Sequence, residues 1–198
     1  MTTLPIRLLI VGLIAIPHTF AQSQATHLVK GNDFSFKLPN NWIEITRAEY
    51  EYQAALTKKN MGIDPPKMEL GFHVIGRKPF SPPNIFFTPP SPAAFSFSEM
   101  KAGFEQSDFR DGMAHSLPPK LASLFGPLKV SKPRFLDEQK ILLLNLVFEG
   151  DAEPGPTIAY CVGKSQWLSI TFLSPAESPS KYESVLEMVV TSFKWNTP

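Results

Sequence analysis

Cysteine is almost absent from this sequence, since Cys161 is the one cysteine among 198 residues. A disulfide within the chain is therefore excluded, and stability has to come from an ordinary apolar core. Catalytic signatures are absent as well: the sequence contains no Gly-x-Ser-x-Gly, His-Glu-x-x-His or Cys-x-x-Cys motif, the marks of common hydrolase, metalloprotease and redox sites. We expect a protein that is not an enzyme and that carries no cofactor.

An excess of charge of one sign is also lacking. The formal net charge is +1, with 19 Lys and Arg against 18 Asp and Glu, and the basic residues stand singly or in pairs such as Lys58-Lys59. A protein that binds nucleic acid normally shows a basic stripe. The composition therefore gives no reason to expect a nucleic acid as partner.

Long hydrophobic runs are rare too, and the most continuous one lies near the N-terminus. Residues 8–16 form an apolar stretch that follows Arg7 and precedes the small-residue site Thr19-Phe20-Ala21. This order is typical of a cleavable secretory signal peptide. A membrane anchor is disfavoured because nine residues cover roughly 13 Å as a helix, while a membrane span needs about 20 residues. We predict a signal peptide at residues 1–21.

The domain organisation follows from that N-terminus. Residues 22–27 are predicted to form a polar leader, and residues 28–198 a single domain without internal repeats. No cysteine lies near the cleavage site, so a lipid has no residue to attach to there. We expect a mature protein without a membrane span, located in the periplasm or outside the cell.

Alternating apolar and polar residues predict several strands. Phe34, Phe36 and Leu38 predict a half-buried strand that ends at a proline, and residues 68–74 predict another. Residues 141–148 are nearly all apolar, as in a central strand that is covered on both faces. Residues 157–162 and 167–173 predict a hairpin, because a link of four residues joins them.

Two capping-box spacings and one apolar stripe predict the helices. Thr46 with Glu49 opens a helix over 47–59, and Ser96 with Glu99 opens one that continues to about residue 115. A helix that starts near residue 178 has apolar residues at the spacing of one helical face. Together with the strands, these helices predict an α+β fold in which a central antiparallel sheet is sandwiched by helices. The stripe of the first helix is Ala48, Tyr52, Ala55 and Leu56, and that of the last is Tyr182, Val185, Leu186, Val189, Val190 and Phe193.

Proline is concentrated in one segment. Residues 79–92 contain six prolines in fourteen residues, which removes backbone donors and predicts a long surface loop instead of a regular element. Ile85, Phe86 and Phe87 are the apolar residues inside it. Exposed on a stiff segment, they would lose little entropy on docking, which suits contact with a protein partner. The alternative is that these three side chains fold back over the core.

Two polar patterns resemble known binding motifs, but each lacks residues that its motif requires. Gly163-Lys164-Ser165 looks like the end of a phosphate-binding loop, but Ile158 stands where that loop needs glycine and a strand follows. A hairpin turn is the better interpretation. Glu149, Asp151 and Glu153 alternate as calcium ligands can, without the glycine and distant glutamate of an EF-hand. We interpret them as a solvated acidic turn.

The histidines and the cysteine give no catalytic pair. His27 lies in the predicted leader, and His73 lies on a strand roughly 13 Å from Glu69, the acidic residue on the same side. With His115 these are the histidines of the mature chain, and we interpret His73 as an incidental surface or second-face residue. Cys161 needs a neighbouring base to act as a nucleophile, and a small buried thiol is the better interpretation.

Both ends of the predicted domain resemble the PsbP and Mog-type superfamily. Residues 34–42 match the pattern F-x-F-x-x-P-x-x-W of its opening strand and turn, and residues 189–195 resemble the end of its last helix. The hairpin over 158–172 stands in the corresponding place. The resemblance implies a central antiparallel sheet between helical layers and a generally non-enzymatic protein. The proline-rich segment departs from the compact pattern, so no functional residue is transferred.

The function expected from these observations is that of an exported, non-catalytic accessory or protein-binding module of the bacterial envelope. Its partner would be another envelope protein, held through Ile85, Phe86 and Phe87. The alternative is a periplasmic protein that binds a small ligand or a metal in a cleft between sheet and helix.

Overall fold

The computed structural model describes residues 25–115, 127–148, 155–175 and 179–196, with the backbone alone at 113–115 and 179–180. The predicted signal peptide and the acidic turn at Glu149, Asp151 and Glu153 lie outside these residues. None of the helices in the described ranges combines the length and hydropathy that crossing a bilayer requires.

Twelve strands build two antiparallel sheets in the described residues. The large sheet has the order β3-β4-β5-β11-β10-β9-β7, with β6 paired to β11 and β8 to β9, and the small sheet has the order β1-β2-β12. The strands are β1 (Thr26–Lys30), β2 (Phe34–Pro39), β3 (Trp42–Glu44), β4 (Leu70–Val74), β5 (Asn84–Phe87), β6 (Ser91–Pro92), β7 (Leu128–Val130), β8 (Arg134–Leu136), β9 (Ile141–Phe148), β10 (Thr157–Val162), β11 (Gln166–Leu173) and β12 (Lys194–Trp195).

Four helices are described: α1 (Arg47–Met61), α2 (Phe97–Glu105), α3 (Ser107–His115) and α4 (Pro179–Ser192). Both predicted capping boxes form, because the Thr46 and Ser96 hydroxyls each accept the backbone N–H of the glutamate three residues on, which accepts their own N–H in return. The continuous helix predicted from 96 to 115 is wrong: it breaks at Gln106, which has extended backbone. The Arg110 side chain donates to the Phe104 and Glu105 carbonyls, at 2.6 and 3.0 Å, and so satisfies groups that the break releases.

The main core lies on one face of the large sheet, under α4 and β2. Phe34, Phe36 and Leu38 are fully buried there, as their alternation predicted. The whole predicted stripe of α4 is buried against the same core. We call this the inner face of the sheet and the opposite one the outer face.

The start of the domain differs from the sequence prediction. β1 begins at Thr26, inside the segment predicted as a polar leader, and pairs along its whole length with β2. Its residues are mostly exposed, so the strand is specified by its backbone ladder to β2. A hydropathy pattern cannot detect such a strand.

The proline-rich segment also differs from the prediction of an irregular surface loop. Its prolines flank residues 84–87, and those four residues keep their backbone donors and form β5 in the interior of the sheet, between β4 and β11. Ile85 and Phe87 are fully buried in the main core. They are therefore unavailable to a partner, and the binding role predicted for this segment stays a prediction for Phe86, which faces the other way and is half-buried.

Candidate binding cleft under helix α1

The outer face of the large sheet has two halves that are covered differently. Over β9 and β10, the α2 side chains Met100 and Phe104 are 7% and 6% exposed and pack on Leu142, Leu144 and Val162. We call this the packed half. Over β4, β5 and β11 lies α1, none of whose side chains is buried by the described residues. We call this the open half.

Local interactions hold α1 together. Its N-terminus carries the capping box, and its C-terminus ends at Gly62, whose left-handed backbone (φ 63°) directs its N–H to the Lys58 carbonyl. Glycine adopts this conformation without the steric cost of a Cβ. An ion pair joins Lys58 to Asp64 at 2.7 Å, and the Tyr50 hydroxyl donates to the Pro66 carbonyl. These contacts fix both ends of the helix, and none of its side chains is buried against the described residues.

The side of α1 that faces the sheet is not the one predicted from the sequence. Tyr52 is 69% exposed, Ala48 and Ala55 are exposed too, and Leu56, the fourth residue of the predicted stripe, is half-buried. The prediction is wrong because the side of α1 that faces the sheet is of mixed polarity. The regular spacing of apolar residues therefore lies on the side that faces away from the sheet. The residues that face the sheet are Tyr50, Gln53, Ala54, Thr57 and Met61.

Between this side of α1 and the sheet lies a cleft of about 600 Å³, which we call the α1 cleft. Its size is within the range of pockets that hold small ligands. The floor is formed by outward-facing residues of β5 and β11, and the side wall by the linker between α1 and β4. Floor and wall include Phe86, Thr171, Leu173, Ile63, Met68 and Phe80.

The surface of the cleft is mainly apolar, and some of its polar groups are paired. Phe80 stacks on Phe86, with ring centroids 5.9 Å apart and an interplanar angle of 11°. The Thr88 hydroxyl accepts the Ser169 N–H at 2.9 Å, so these two residues satisfy each other. Burial raises the pKa of the Tyr50 hydroxyl. These side chains favour an apolar ligand and provide no evident acid–base or nucleophilic pair.

Two rows of outward-facing residues cross the open half of the sheet, and one of them carries unpaired polar groups. The strand register aligns His73, Asn84 and Leu173 in one row and Gly71, Phe86 and Thr171 in the next. His73 is 5% exposed and Asn84 is 0% exposed. Among the described residues, His73 Nδ1 and both polar atoms of the Asn84 side chain have no hydrogen-bond partner.

Sequence reasoning interpreted His73 as an incidental surface or second-face residue and did not single out Asn84. The structure places His73 on the second face of the sheet and buries it. The available signal for Asn84 was its position, since it precedes the apolar residues 85–87 inside the proline-rich segment. This position indicates a buried asparagine only if residues 84–87 form a strand, which the sequence did not predict.

The other candidate residues stay apart from the cleft. Cys161 is fully buried in the main core, and burial raises the pKa of its thiol well above the usual value, so the interpretation as a buried thiol is confirmed. The Gly163 N–H donates to the Gln166 carbonyl at 2.7 Å and closes the predicted hairpin turn. His27 is exposed beside Asn40, and the His115 side chain lies outside the description. Within the described ranges, no three His, Cys, Asp or Glu side chains are grouped to hold a metal ion.

Comparisons with known proteins identify the fold. The structure is similar to the solution structure of cyanobacterial PsbP (CyanoP) from Synechocystis sp. PCC 6803, with a TM-score of 0.51 and 12% sequence identity. The match covers 89% of this chain and 95% of that chain. No family model and no curated protein matches the sequence. The likeness confirms the predicted PsbP-like α+β fold, and at this identity it concerns the fold alone.

Proposed function

We propose that this protein is an exported, non-catalytic binding protein whose ligand site is the α1 cleft. The observation that carries the proposal is an apolar cleft of about 600 Å³ beneath a helix that buries none of its own side chains against the described residues. An amphipathic helix normally gains its tertiary stability by burying one face. Here the side of α1 that faces the sheet, which is of mixed polarity, lies over open space, which a bound apolar molecule would fill.

Export is the part of the proposal that rests on the sequence. The charge, apolar stretch and small-residue site of residues 1–21 have the order of a secretory signal. A carrier or sensor of an apolar molecule in the envelope fits this destination, since a molecule of that kind has low solubility in the aqueous periplasm. Mass spectrometry of the protein recovered from the periplasm tests it, with cleavage after Ala21 as the expected result and a retained residue 1–21 segment as the opposing one.

The ligand site can be tested with a matched pair of substitutions on one helix. Ala54 faces the cleft and Ala55 faces solvent. In a titration with the neutral fluorophore N-phenyl-1-naphthylamine, we expect Ala54→Phe to weaken saturable binding about tenfold or more, because the new ring occupies the site. Ala55→Phe should bind as the wild type does. Equal binding by all three proteins, or no binding by the wild type, would contradict the proposed site.

A protein partner held at Phe86 is the second candidate, because Phe86 is half-buried on the floor of the cleft, where it stacks on Phe80. Removal of residues 79–92 is unsuitable as a test, because it would delete an interior strand. Phe86→Thr keeps a β-compatible residue on β5. If this variant and the wild type recover the same partners from an envelope extract, the second candidate fails.

A further inference from the structure

Asn84 is the most unusual polar residue in the described structure. Its side chain offers two donors and one acceptor, is 0% exposed, and has no partner for either polar atom. A buried polar group without a partner costs about 1–3 kcal/mol, and native proteins contain few of them. An interior strand made of aliphatic and aromatic residues alone would avoid this cost, so the position of Asn84 calls for a partner that the described residues do not supply.

The position of Asn84 links it to the α1 cleft. Its side chain is on the same side of β5 as Phe86, because residues two apart in a strand share a face. It is also aligned across the sheet with Leu173, and both Phe86 and Leu173 line the cleft. On its other side it is aligned with His73, whose Nδ1 is likewise unpaired. The unpaired groups thus lie beside two residues that line the apolar cleft, although neither Asn84 nor His73 lines it.

We infer that the α1 cleft takes a neutral amphiphile with an apolar body and an amide-type head, and that Asn84 and His73 hydrogen-bond the head. This inference rests on the proposed function. A carboxamide or lactam carries a donor beside an acceptor and can therefore pair with the Asn84 amide through two hydrogen bonds. An ionised head is disfavoured because the Asn84 side chain is fully desolvated, and a charge is costly to transfer to such a place.

The head reaches Asn84 only when the cover of the cleft moves, since Asn84 has no exposed surface. The weakly attached part of that cover is α1. Its described contacts at both ends are hydrogen bonds and an exposed ion pair, and exposed ion pairs contribute little. Displacing α1 therefore sacrifices little apolar burial, and the ligand restores burial when it enters.

Three amphiphiles with the same chain and different heads test the inference: decanamide, 1-decanol and decanoate, each displacing N-phenyl-1-naphthylamine from the full mature protein. We expect decanamide to displace the fluorophore at a concentration about tenfold lower than 1-decanol, as two hydrogen bonds replace one, with decanoate the weakest. Asn84→Leu should remove the preference for decanamide and raise the thermal unfolding midpoint of the ligand-free protein, since it replaces the unpaired amide by an apolar side chain of similar shape.

The outcomes separate this inference from the proposed function. Saturable fluorophore binding with equal displacement by all three amphiphiles would overturn the amide head and leave the apolar cleft in place. No fluorophore binding at all would overturn both. A readout on the wild-type protein covers the case in which Asn84→Leu does not fold: the Asn84 side-chain NH₂ resonances should shift when decanamide is added and stay unchanged with decanoate, and an unchanged signal with decanamide overturns the inference.

Discussion

The helices that cover the packed half and the open half of the outer face have similar N-terminal caps but pack differently on the sheet. α1 and α2 both start at a capping box with the same geometry. α2 then buries Met100 and Phe104 against the sheet, whereas α1 leaves a cleft of about 600 Å³ beneath it. Full burial of one such side chain contributes about 1.5–3 kcal/mol. α2 therefore stabilises the fold, while α1 is a preformed cover held by its own local contacts.

The largest effect expected from this difference concerns two methionines. Met100→Ala on α2 should lower the free energy of unfolding by about 2–3 kcal/mol, because it opens a cavity in the packed half. Met61→Ala on α1 should lower it by less than about 1 kcal/mol, since Met61 is half-buried at the cleft. Urea unfolding of both variants measures the difference. Equal losses would show that α1 packs as tightly as α2 and that the cleft is closed in solution.

The next largest effects are expected from replacing one glycine by alanine at each helix, which should change the stability in opposite directions. Gly62 has φ 63°, and Gly62→Ala should cost about 1 kcal/mol because a Cβ is strained in that conformation. Gly103 lies within α2, and a Cβ added there meets nothing within 4 Å among the described residues. Gly103→Ala should therefore stabilise by about 0.5–1 kcal/mol. Thermal unfolding of the two variants and the wild type measures both changes in stability. If the two unfolding midpoints shifted in the same direction, the different roles given to Gly62 and Gly103 would be refuted.

The smallest effect is the response to acid. Hydrogen bonds from the Thr46 backbone N–H, and then from its hydroxyl, hold the pKa of Glu49 below its usual 4.5, and Ser96 does the same for Glu99. Since both pKa values are lowered in the folded protein, each cap stabilises fully above the unfolded value and is lost as the pH falls through the folded value.

Losing the caps should have unequal consequences for the two helices. Without its cap α2 still has Met100 and Phe104 buried on the sheet, whereas α1 has no comparable attachment in the described structure. Amide exchange between about pH 6 and about pH 3, corrected for intrinsic rates, should show protection lost first in the opening turn of α1. Glu49→Gln, which cannot ionise, should flatten that pH response in α1 and leave α2 unchanged. Simultaneous loss in both helices would contradict the comparison.

Several elements were determined by the sequence alone, because their physical cause is local. The two capping boxes, the hairpin turn at Gly163 and the buried stripe of α4 each follow from residues that are near one another in the chain. The α+β class follows from the alternation and helical spacing of such residues. The resemblance at residues 34–42 and 189–195 pointed to the PsbP-like fold because those motifs lie in its core.

What lies between these elements depends on contacts between distant segments of the chain. Prolines on both sides concealed β5, whose backbone partners come from β4 and β11, distant segments of the chain. The inward side of α1 could not be identified from hydropathy, since a helix beside a cleft need not present an apolar stripe. The importance of Asn84 has the same origin. An asparagine among prolines is ordinary in a loop, but long-range strand pairing buries this one without a partner among the described residues.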